Sequence, residues 1–266
     1  GLKNFAILAP RDRFGEEYGM GFWNAVEEFG GTVTAFEDYE PGETDFRKPI
    51  DRLAGLFYPD ARKRELDELA ASRARDEIKK RSRKTEKYFA LPPIVDFDAV
   101  FIPDEPKEAS LAIPTFAYRD VDSVQILGIT GWNSPEFIQR SGRSAEGAVF
   151  MDAYLPSSTQ SSVRDFSKQF RGTFGLEPGS IEAVSFDAAA VLSRIVASES
   201  GAQGIDRMAV ASRIRQLSDT KGVTGSISVR DGSWSRELQA VTIRNSEFTA
   251  WDARSPRPAR PATSAD

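Results

Sequence analysis

The chain has 266 residues, of which 40% are hydrophobic and 28% charged, and its formal net charge is −5. This length allows one or two domains with a sizeable core, and the acidic balance does not indicate a nucleic-acid partner. Histidine and cysteine are both absent, which excludes Ser-His and Cys-His catalysis, imidazole and zinc–thiolate metal sites, and disulfides.

The N-terminal stretch predicts a βαβ unit. Phe5–Leu8 is a short apolar run, typical of a strand that is buried on both faces. Apolar residues then recur at helical spacing over Met20–Phe29, and Val33–Tyr39 has the pattern of a second strand. In parallel sheets the ligand crevice lies outside the carboxyl ends of the strands. We therefore expect a ligand-facing loop at Pro10–Gly15.

A highly charged segment follows this unit. Between Asp60 and Lys87, 18 of 28 residues are charged, 11 of them basic, and only a thin apolar stripe remains. The pattern predicts an exposed helix or helical hairpin over residues 60–91, inserted into the α/β frame. It is either a solvated face with many ion pairs or a basic surface for a partner or a membrane. The run Lys79–Lys84, with five basic residues in six, favours the second interpretation.

The α/β pattern then resumes. Strands are predicted at Ala99–Ile102 and Gln125–Ile129 and within "GAVFMDAYL". A helix is predicted over Glu108–Tyr118, with a kink at Pro114. Another is predicted to start at Ser134-Pro135-Glu136, where Pro occupies the first helical position.

The C-terminal third predicts three helices, a hairpin and a tail. The helices are indicated by Val163, Phe166, Phe170 and Phe174, by "EPGSIEAVSFDAAAVLSRIVAS", and by Met208, Val210, Ile214 and Leu217. A terminal β-hairpin is expected across the D-G turn of "RDGSW", with Ile227 and Val229 on one strand and Leu238, Val241 and Ile243 on the other. Residues 251–266 are mostly Pro, Ala, Ser and Arg, which predicts a disordered tail.

Several landmarks in one order resemble a known family. They are "FAILAPRDRFGEEYGMGFWNAVEEFGG", "YEPGETDFRKPIDRL", "FDAVFIPD", "VQILGITGWNSPEF", "EGAVFMDAYLP", "FSKQFRGTFGLEPGSIEAVSFDAAAVL" and "KGVTGSISVRDGSWSRELQAVTIRNSEF". Together they resemble the type I periplasmic binding proteins of the leucine/isoleucine/valine-binding group over about residues 3–250. The charged insertion is similar to that of a subgroup of lipoproteins described as activators of penicillin-binding proteins.

The resemblance implies an α/β fold with two lobes that close on a ligand. It implies a parallel-sheet lobe with helices on both faces, a partial second lobe and a terminal β-hairpin. Residues 1–153 correspond to the second lobe, with the insertion at 60–91. Residues 154–222 correspond to part of the first lobe, and 223–250 return to the second lobe before the tail at 251–266. The N-terminal part of the first lobe, and with it half of the pocket, is expected to lie outside this chain.

Two groups of candidate residues follow the first predicted strand. In the family, an aromatic residue at the position of Phe14 commonly packs on the ligand, whereas a loop Phe before Gly can equally be a helix staple. Arg11 and Arg13 could meet an anionic ligand near a helix N-terminus, or they could be solvated charges.

The next two strand ends carry further candidates. Asp104 and Glu105 would suit a cationic or hydroxyl-rich ligand, or they form an acid pair that stabilises a helix N-terminus. The resemblance places Thr130 at a polar, ammonium-facing position that is often acidic in amino-acid binders. Trp132 could stack on a ligand ring or cover the sheet, and Asn133 lies beside it in the same loop.

Three other patterns carry no function. Asp187 lies in "SFDAAAVL" on a mostly apolar helix and is expected to be a local hydrogen-bond partner. Ser218–Lys221 matches S-x-x-K but lacks the accompanying motifs. Gly19-x-Gly21 lacks the third glycine of a dinucleotide site.

We therefore expect a non-enzymatic, extracytoplasmic domain that binds a small ligand for an ABC permease, with no cofactor and no metal. The alternative is an interaction domain that activates a peptidoglycan synthase. Carboxylate chemistry at Asp104 and Glu105 is the third possibility. The expected location is periplasmic or outer-membrane-associated in a bacterium, with membrane attachment only through an upstream lipid anchor. No signal-peptide pattern opens the chain, so its targeting signal is expected to lie upstream of Gly1.

Overall fold

A computed structural model describes residues 1–77, 91–201 and 204–252. Contacts within the chain divide it into two compact units, unit 1 (Gly1–Leu127) and unit 2 (Gly128–Ala259). The basic run Lys79–Lys84 and the tail beyond residue 252 lie outside the described residues.

Unit 1 is built on four parallel strands. They are β1 (Asn4–Pro10), β2 (Thr32–Tyr39), β3 (Ala99–Phe101) and β4 (Gln125–Leu127), in the spatial order β2-β1-β3-β4. The central residues of β1, Ala6 to Ala9, are almost completely buried. This burial explains why the sequence there is an unbroken apolar run. The strands predicted at Phe5–Leu8, Val33–Tyr39, Ala99–Ile102 and Gln125–Ile129 are confirmed, with small differences at their ends.

Within residues 1–77 and 91–127, four α-helices accompany these strands. They are α1 (Arg13–Glu28), α2 (Arg47–Leu53), α3 (Lys63–Glu77) and α4 (Pro106–Tyr118). The chain passes through α1 from β1 outward to β2, and through α2 and α3 back across β1 to β3. Since such connections are right-handed, α1 and α2 cover opposite faces of the sheet. Unit 1 is therefore an α/β layer structure, as predicted.

The start of α1 differs from the prediction. The sequence pattern predicts Arg13 and Phe14 in a loop, but the helix begins at Arg13 and both lie in its first turn. The reason is that the Asp12 carboxylate accepts the backbone N–H of Gly15 at 2.8 Å and so caps the helix.

Unit 2 contains the remaining helices and strands. The helices are α5 (Pro135–Ser141), α6 (Ser161–Phe174), α7 (Ser180–Glu199) and α8 (Arg207–Arg215). The strands are β5 (Val149–Asp152), β6 (Ser200–Gly201), β7 (Gly204–Ile205), β8 (Thr220–Gly222), β9 (Gly225–Arg230), β10 (Ser233–Arg236), β11 (Gln239–Arg244) and β12 (Glu247–Ala250). The predicted start of α5 is confirmed, because the Ser134 hydroxyl accepts the N–H of Phe137.

The described strands from β8 to β12 form three hairpins, β8–β9, β9–β10 and β11–β12, instead of the single predicted one. The D-G turn at Asp231 joins β9 to β10, but Val241 and Ile243 lie in β11, which pairs with β12 and with β5. Pairing between β9 and β10 stops at Arg236, so the next residues begin a new strand. The terminal hairpin is therefore β11–β12. Its turn is held by Glu146, whose carboxylate accepts the N–H groups of Asn245 and Ser246.

The boundary between the units falls before β5, at residues 127 and 128. Antiparallel pairing joins β5 to β11, so β5 lies with the C-terminal strands of unit 2. The lobe assignment itself stays a prediction.

Candidate functional site

Three parallel strands of unit 1 end side by side. β1 ends at Pro10, β2 at Tyr39 and β3 at Phe101. The next residue after β1, Arg11, donates its backbone N–H to the carbonyl of Tyr39 at 2.6 Å and so ties the first two strand ends together. We call the polar groups gathered here the carboxyl edge of unit 1. It is the place where open parallel sheets bind ligands.

A buried carboxylate and a buried phenol meet at this edge. The Tyr39 hydroxyl donates a hydrogen bond of 2.6 Å to Oδ2 of Asp104. Oδ1 of Asp104 accepts the backbone N–H of Glu105 at 2.7 Å. The two side chains are 3% and 8% exposed, respectively. The carboxylate of Asp104 is thus held in one orientation by groups from β2 and from the start of α4.

Electrostatics at the carboxyl edge favour a proton or another cation. Burial raises the pKa of Asp104 above its usual value, and the hydrogen bonds from Tyr39 and Glu105 only partly oppose this. The nearby carboxylates of Glu108 and Asp12 raise this pKa further. The pKa of the Tyr39 phenol is also raised, first by burial and then by the charge of Asp104. Tyr39 therefore stays a neutral hydrogen-bond donor.

The two arginines near this edge are already paired with carboxylates. The guanidinium of Arg11 donates to Asp38 at 2.5 Å and to Glu40 at 2.7 Å. Its hydrogen bond is the main reason that the pKa of Asp38 is lowered. Arg13 is 90% exposed and donates to Glu17 at 2.7 Å. An anionic ligand would have to compete with these internal partners, so the arrangement suits a cationic or hydroxyl-bearing ligand better.

Phe14 and Glu105 border the same edge. Phe14 is 36% exposed, and its ring lies 4.4 Å from that of Tyr18, one helical turn further on. Glu105 is exposed at the N-cap of α4 but makes no side-chain cap there. The aromatic ring and the carboxylate are therefore both accessible to solvent.

An apolar groove lies further along α1. It has a volume of about 370 Å³ and is lined by Glu17, Tyr18, Gly21, Phe22 and Phe101. The rings of Phe22 and Phe101 stack at 4.3 Å and form part of its wall. Asp104 and Tyr39 do not line this groove, so it is separate from the carboxyl edge.

The candidates after β4 belong to unit 2 and have different environments. Thr130 is exposed, and its hydroxyl donates to the carbonyl of Met151 at 2.9 Å. Trp132 is fully buried, with its ring 4.7 Å from that of Phe137 and edge-on to Phe150. Of the two roles expected for Trp132, ligand stacking does not agree with this burial, and packing in the core does. The indole can pack there because residue 128 is Gly: a Cβ atom at that position would lie 2.2 Å from the indole ring.

Asn133 takes part in a buried polar network. Its side-chain N–H groups donate to the carbonyl of Tyr154 at 2.7 Å and to the hydroxyl of Ser180 at 3.1 Å. Ser180 in turn donates to Asp152 at 2.6 Å, and the N–H of Tyr154 donates to the same carboxylate. Asn133 and Asp152 are 3% and 0% exposed. Asn133 therefore has a structural role, in joining the end of β5 to the start of α7.

The buried carboxylate of Asp152 should make stability depend on pH. Burial raises its pKa, although hydrogen bonds from Ser180, Tyr154 and Asn133 oppose this. Between the unfolded value of 3.8 and the raised folded pKa, the folded protein binds more protons, so this group's contribution to stability falls as pH rises. An Asp152→Asn variant has no titrating carboxyl group at this position, so it does not lose this contribution to stability as pH rises. We expect its free energy of unfolding, relative to the natural chain, to increase with pH over this window.

Urea unfolding of both proteins from about pH 4 to pH 8 measures the difference between their free energies of unfolding. This difference should change by about 1.4 kcal/mol for each unit by which folding raises the pKa of Asp152. A difference that stays constant over this range, or that falls as pH rises, would contradict the expected role of Asp152. Circular dichroism at each pH checks that both proteins are folded before denaturant is added.

The sequence did not single out Asp12, Tyr39, Asp152 or Ser180. Asp12 has a recognisable signal, because an Asp before a helical pattern is a common N-cap. The other three look like ordinary strand-end or helix-start residues, and only the folded chain brings them to their partners.

Neither a metal-binding cluster nor a membrane-spanning helix is found among the described residues. Within residues 1–77, 91–201 and 204–252, no group of three or more acidic side chains is placed to hold a metal ion. In the same part of the chain, no helix combines the length and the apolar character needed to cross a membrane.

Comparison with known proteins gives structural matches but no sequence family. No protein-family model matches the chain, and no curated protein sequence matches it significantly. Solved structures do match. One is a branched-chain amino acid ABC transporter protein from Rhodospirillum rubrum, with 18% identity and a TM-score of 0.67 over 94% of this chain and 61% of that one. Another is a leucine-binding protein from Thermotoga maritima, with 20% identity and a TM-score of 0.66 over 95% and 60%.

A third match is an ABC transporter solute-binding protein from R. palustris in complex with benzoate, with 14% identity, a TM-score of 0.64 and coverage of 94% and 58%. The chain thus spans about 60% of the length of each of these structures. The similarity extends over nearly all of this chain. The chain therefore has the type I periplasmic binding protein fold.

Proposed function

We propose that this chain is an extracytoplasmic solute-binding protein and that the carboxyl edge of unit 1 supplies ligand-binding groups. The observation that carries this proposal is the buried carboxylate of Asp104, fixed by Tyr39 at 2.6 Å where parallel sheets bind ligands. A preoriented acceptor of this kind loses little entropy when a ligand binds. Phe14 and Glu105, both accessible beside it, are the other groups we assign to this site.

The proposed ligand is a small molecule that carries an ammonium group or several hydroxyls. Asp104, Glu105 and Asp12 provide acceptors, and the nearby guanidinium groups are already engaged by carboxylates. The fold alone does not choose the ligand, because structural neighbours include a leucine-binding protein and a benzoate complex. Thr130 is an exposed candidate of unit 2, and we treat it apart from this site as a candidate contact for a polar ligand.

Transport follows from the same proposal. The matched structures include components of ABC transporters, so we propose that this protein delivers its ligand to a membrane permease from the periplasm. Binding and release would then occur without a chemical step, and no cofactor is needed.

Ligand screening by thermal shift tests the proposal. Amines, amino acids, sugars and carboxylic acids are added to the full chain, and a true ligand near 100 Kd should add about 2.7 kcal/mol of stability. We expect the shift with an amine or a hydroxyl-rich compound, and we expect Asp104→Asn to remove it. The matched control is Glu28→Gln, an exposed acid at the other end of α1. Binding of anions only, or full binding by Asp104→Asn, would contradict the proposal.

A second candidate function is the activation of a peptidoglycan synthase through the charged insertion. The observation that favours it is the firm attachment of α3, whose residues 63–72 are mostly exposed. Arg62 precedes α3, is 8% exposed, and donates to the carbonyls of Gly55 and Pro92, on either side of the insertion. A helix whose start is held by these hydrogen bonds is suited to contact a protein partner.

These two functions separate in a pull-down experiment. Capture of a synthase that is lost when residues 60–91 are deleted, together with no thermal shift for any compound, would favour the interaction function over ligand transport. Retention of ligand binding in the same deletion variant, without capture of a synthase, would favour transport.

A further inference from the structure

Arg11 holds three consecutive residues at the end of β2. Its guanidinium donates to Oδ1 of Asp38 from Nη2 at 2.5 Å and from Nε at 3.1 Å, and to Oε1 of Glu40 from Nη1 at 2.7 Å. Its backbone N–H donates to the carbonyl of Tyr39 at 2.6 Å. The residue that follows β1 is therefore bonded to Tyr39 and to the neighbours on both sides of it.

The contact with Asp38 lies away from the Tyr39 phenol. Successive side chains of a strand point to opposite sides, so the side chain of Asp38 leaves β2 on the side that Tyr39 does not use. The side chain of Asp38 is 42% exposed, whereas Tyr39 is 3% exposed and reaches Asp104. A guanidinium that holds both neighbours of Tyr39 limits the movement of the backbone from which the phenol projects.

The backbone at Arg11 is itself fixed, so the guanidinium starts from a defined point. Pro10 pairs with Tyr39 in the register of β1 and β2. On the other side of Arg11, Asp12 caps α1 by accepting the N–H of Gly15 at 2.8 Å. A Cβ atom at Gly15 would lie 2.0 Å from the carbonyl oxygen of Pro10, so glycine allows the first turn of α1 to approach the end of β1. Arg11 thus lies between a paired strand end and a capped helix start.

We propose that Arg11 is a positioning residue of the carboxyl edge, which fixes Tyr39 through Asp38 and Glu40 and thereby orients the Asp104 carboxylate for its ligand. This inference rests on the proposed function, because it adds a residue to the same site. In this role Arg11 acts without touching the ligand, which differs from the anion contact that its place near a helix N-terminus suggests.

The orientation of Asp104 depends on where the phenol lies. The hydrogen bond from Tyr39 to Oδ2 is 2.6 Å long, in the range of strong bonds to a carboxylate, and it weakens if the phenol moves away. This bond opposes the rise in the pKa of Asp104 that burial causes, while the charges of Glu108 and Asp12 add to the rise. A less firmly held Tyr39 should therefore raise the pKa of Asp104 further.

Titration of Asp104 tests the proposal with the proton as the probe. Its carboxyl-carbon NMR signal is followed against pH in the full chain and is identified by its absence in Asp104→Asn. We expect Tyr39→Phe and Arg11→Ala both to raise the pKa of Asp104. Arg47→Ala is the matched control, because Arg47 is 60% exposed, against 56% for Arg11, and donates two hydrogen bonds to Asp45 in its own loop. An unchanged pKa in Arg11→Ala, or an equal change in Arg47→Ala, would overturn the proposal.

A double variant separates positioning from a direct effect of charge. The loss of a cation alone would raise the pKa of Asp104 equally with and without the Tyr39 hydroxyl. If Arg11 acts through Tyr39, Arg11→Ala should add little to the effect of Tyr39→Phe. An equal rise in both backgrounds would overturn the proposal. Arg11→Lys keeps the charge but lacks the planar fork that reaches Asp38 and Glu40 together, so it should restore only part of the natural pKa.

The proposed function and this inference fail by different results. The absence of any thermal shift in the ligand screen would remove the binding function, whereas an unchanged titration of Asp104 in Arg11→Ala would remove the positioning role alone. For the compound with the largest shift in that screen, Arg11→Ala should weaken binding by about fivefold, the upper range for the loss of an exposed ion pair. Arg47→Ala should leave its affinity unchanged, and equal weakening by both variants would contradict the positioning role.

Discussion

Asp187→Ala is expected to lower the free energy of unfolding by about 4 kcal/mol, the largest effect of any single substitution considered for this chain. The Asp187 carboxylate is 2% exposed and accepts the N–H of Val223 at 2.7 Å and the N–H and hydroxyl of Thr224 at 2.8 Å and 2.6 Å. Removal of the carboxylate leaves these buried donors without their acceptor. Each such donor costs about 1–3 kcal/mol.

The same carboxylate fixes the position of α7 against the turn between β8 and β9. Thr224 also accepts a hydrogen bond from Arg236 on β10, so one chain of contacts joins three elements. A Cβ atom at Gly222 would lie 2.4 Å from Asp187, so glycine is needed there for the carboxylate to approach the backbone. We therefore expect Gly222→Ala to destabilise the chain through the same contact.

Chemical unfolding followed by circular dichroism measures the loss. Asp165→Ala is the matched control, because Asp165 is an exposed acid on the adjacent helix α6, and its removal should change stability by less than about 0.5 kcal/mol. Asp187→Asn, which keeps one acceptor, should lie between the two. Equal stability of Asp187→Ala and Asp165→Ala would show that the hydrogen bonds of Asp187 contribute little.

Asp187 also illustrates what the sequence could predict. One acid among the apolar residues of "SFDAAAVL" indicates a buried hydrogen-bond acceptor, and the structure agrees. Buried strands, helix periods and the N-cap at Ser134 are likewise local signals, and they appear where the sequence places them. Such features depend on interactions between residues that are close in the sequence, so they can be predicted from the sequence.

The site depends on contacts between distant residues, and there the sequence predicted less. Tyr39 and Asp104 are 65 positions apart, and nothing local to either indicates the 2.6 Å hydrogen bond between them. The Gly-flanked Trp132 was a candidate for an exposed rim. The missing Cβ of Gly128 instead lets the indole pack over the backbone in the core. The prediction for "RDGSW" has the correct turn but assigns the wrong residues to the second strand. The pairing of β11 with β5 joins residues far apart in the sequence, so local spacing does not indicate it.

Arg62 is another residue whose role comes from distant contacts. It lies within a run of charged residues that predicts solvation, yet its side chain is only 9% exposed. Its guanidinium donates to the carbonyl of Pro92 at 2.8 Å, to that of Gly55 at 3.3 Å, and to the carboxylate of Glu65 at 2.8 Å. The N–H of Ile94 donates to the carbonyl of Ala54 beside this cluster. Arg62 thus connects the two ends of the inserted segment by hydrogen bonds.

Arg62→Ala is therefore expected to destabilise this junction by about 3 kcal/mol, because two carbonyls and a carboxylate lose a charged donor. Opening of the junction should become about 100-fold more frequent, since each 1.4 kcal/mol is a factor of ten. Amide hydrogen exchange at Ile94 reports this opening directly. Trypsin should also cleave the insertion much faster in the variant, while the central amides of β1 keep their protection.

Arg64→Ala is the matched control. Arg64 is two residues away and 90% exposed, and its guanidinium lies 3.6 Å from Glu68, so its loss should change stability by less than about 1 kcal/mol. Arg62→Lys keeps the charge but cannot reach three acceptors in the same fork, so it should open more often than the natural chain and less often than Arg62→Ala. Equal exchange at Ile94 in Arg62→Ala and Arg64→Ala would mean that the insertion is anchored by other contacts. A firm junction that depends on Arg62 would instead mean that the two ends of the insertion and the start of α3 are held in a defined position, as a surface for a protein partner requires.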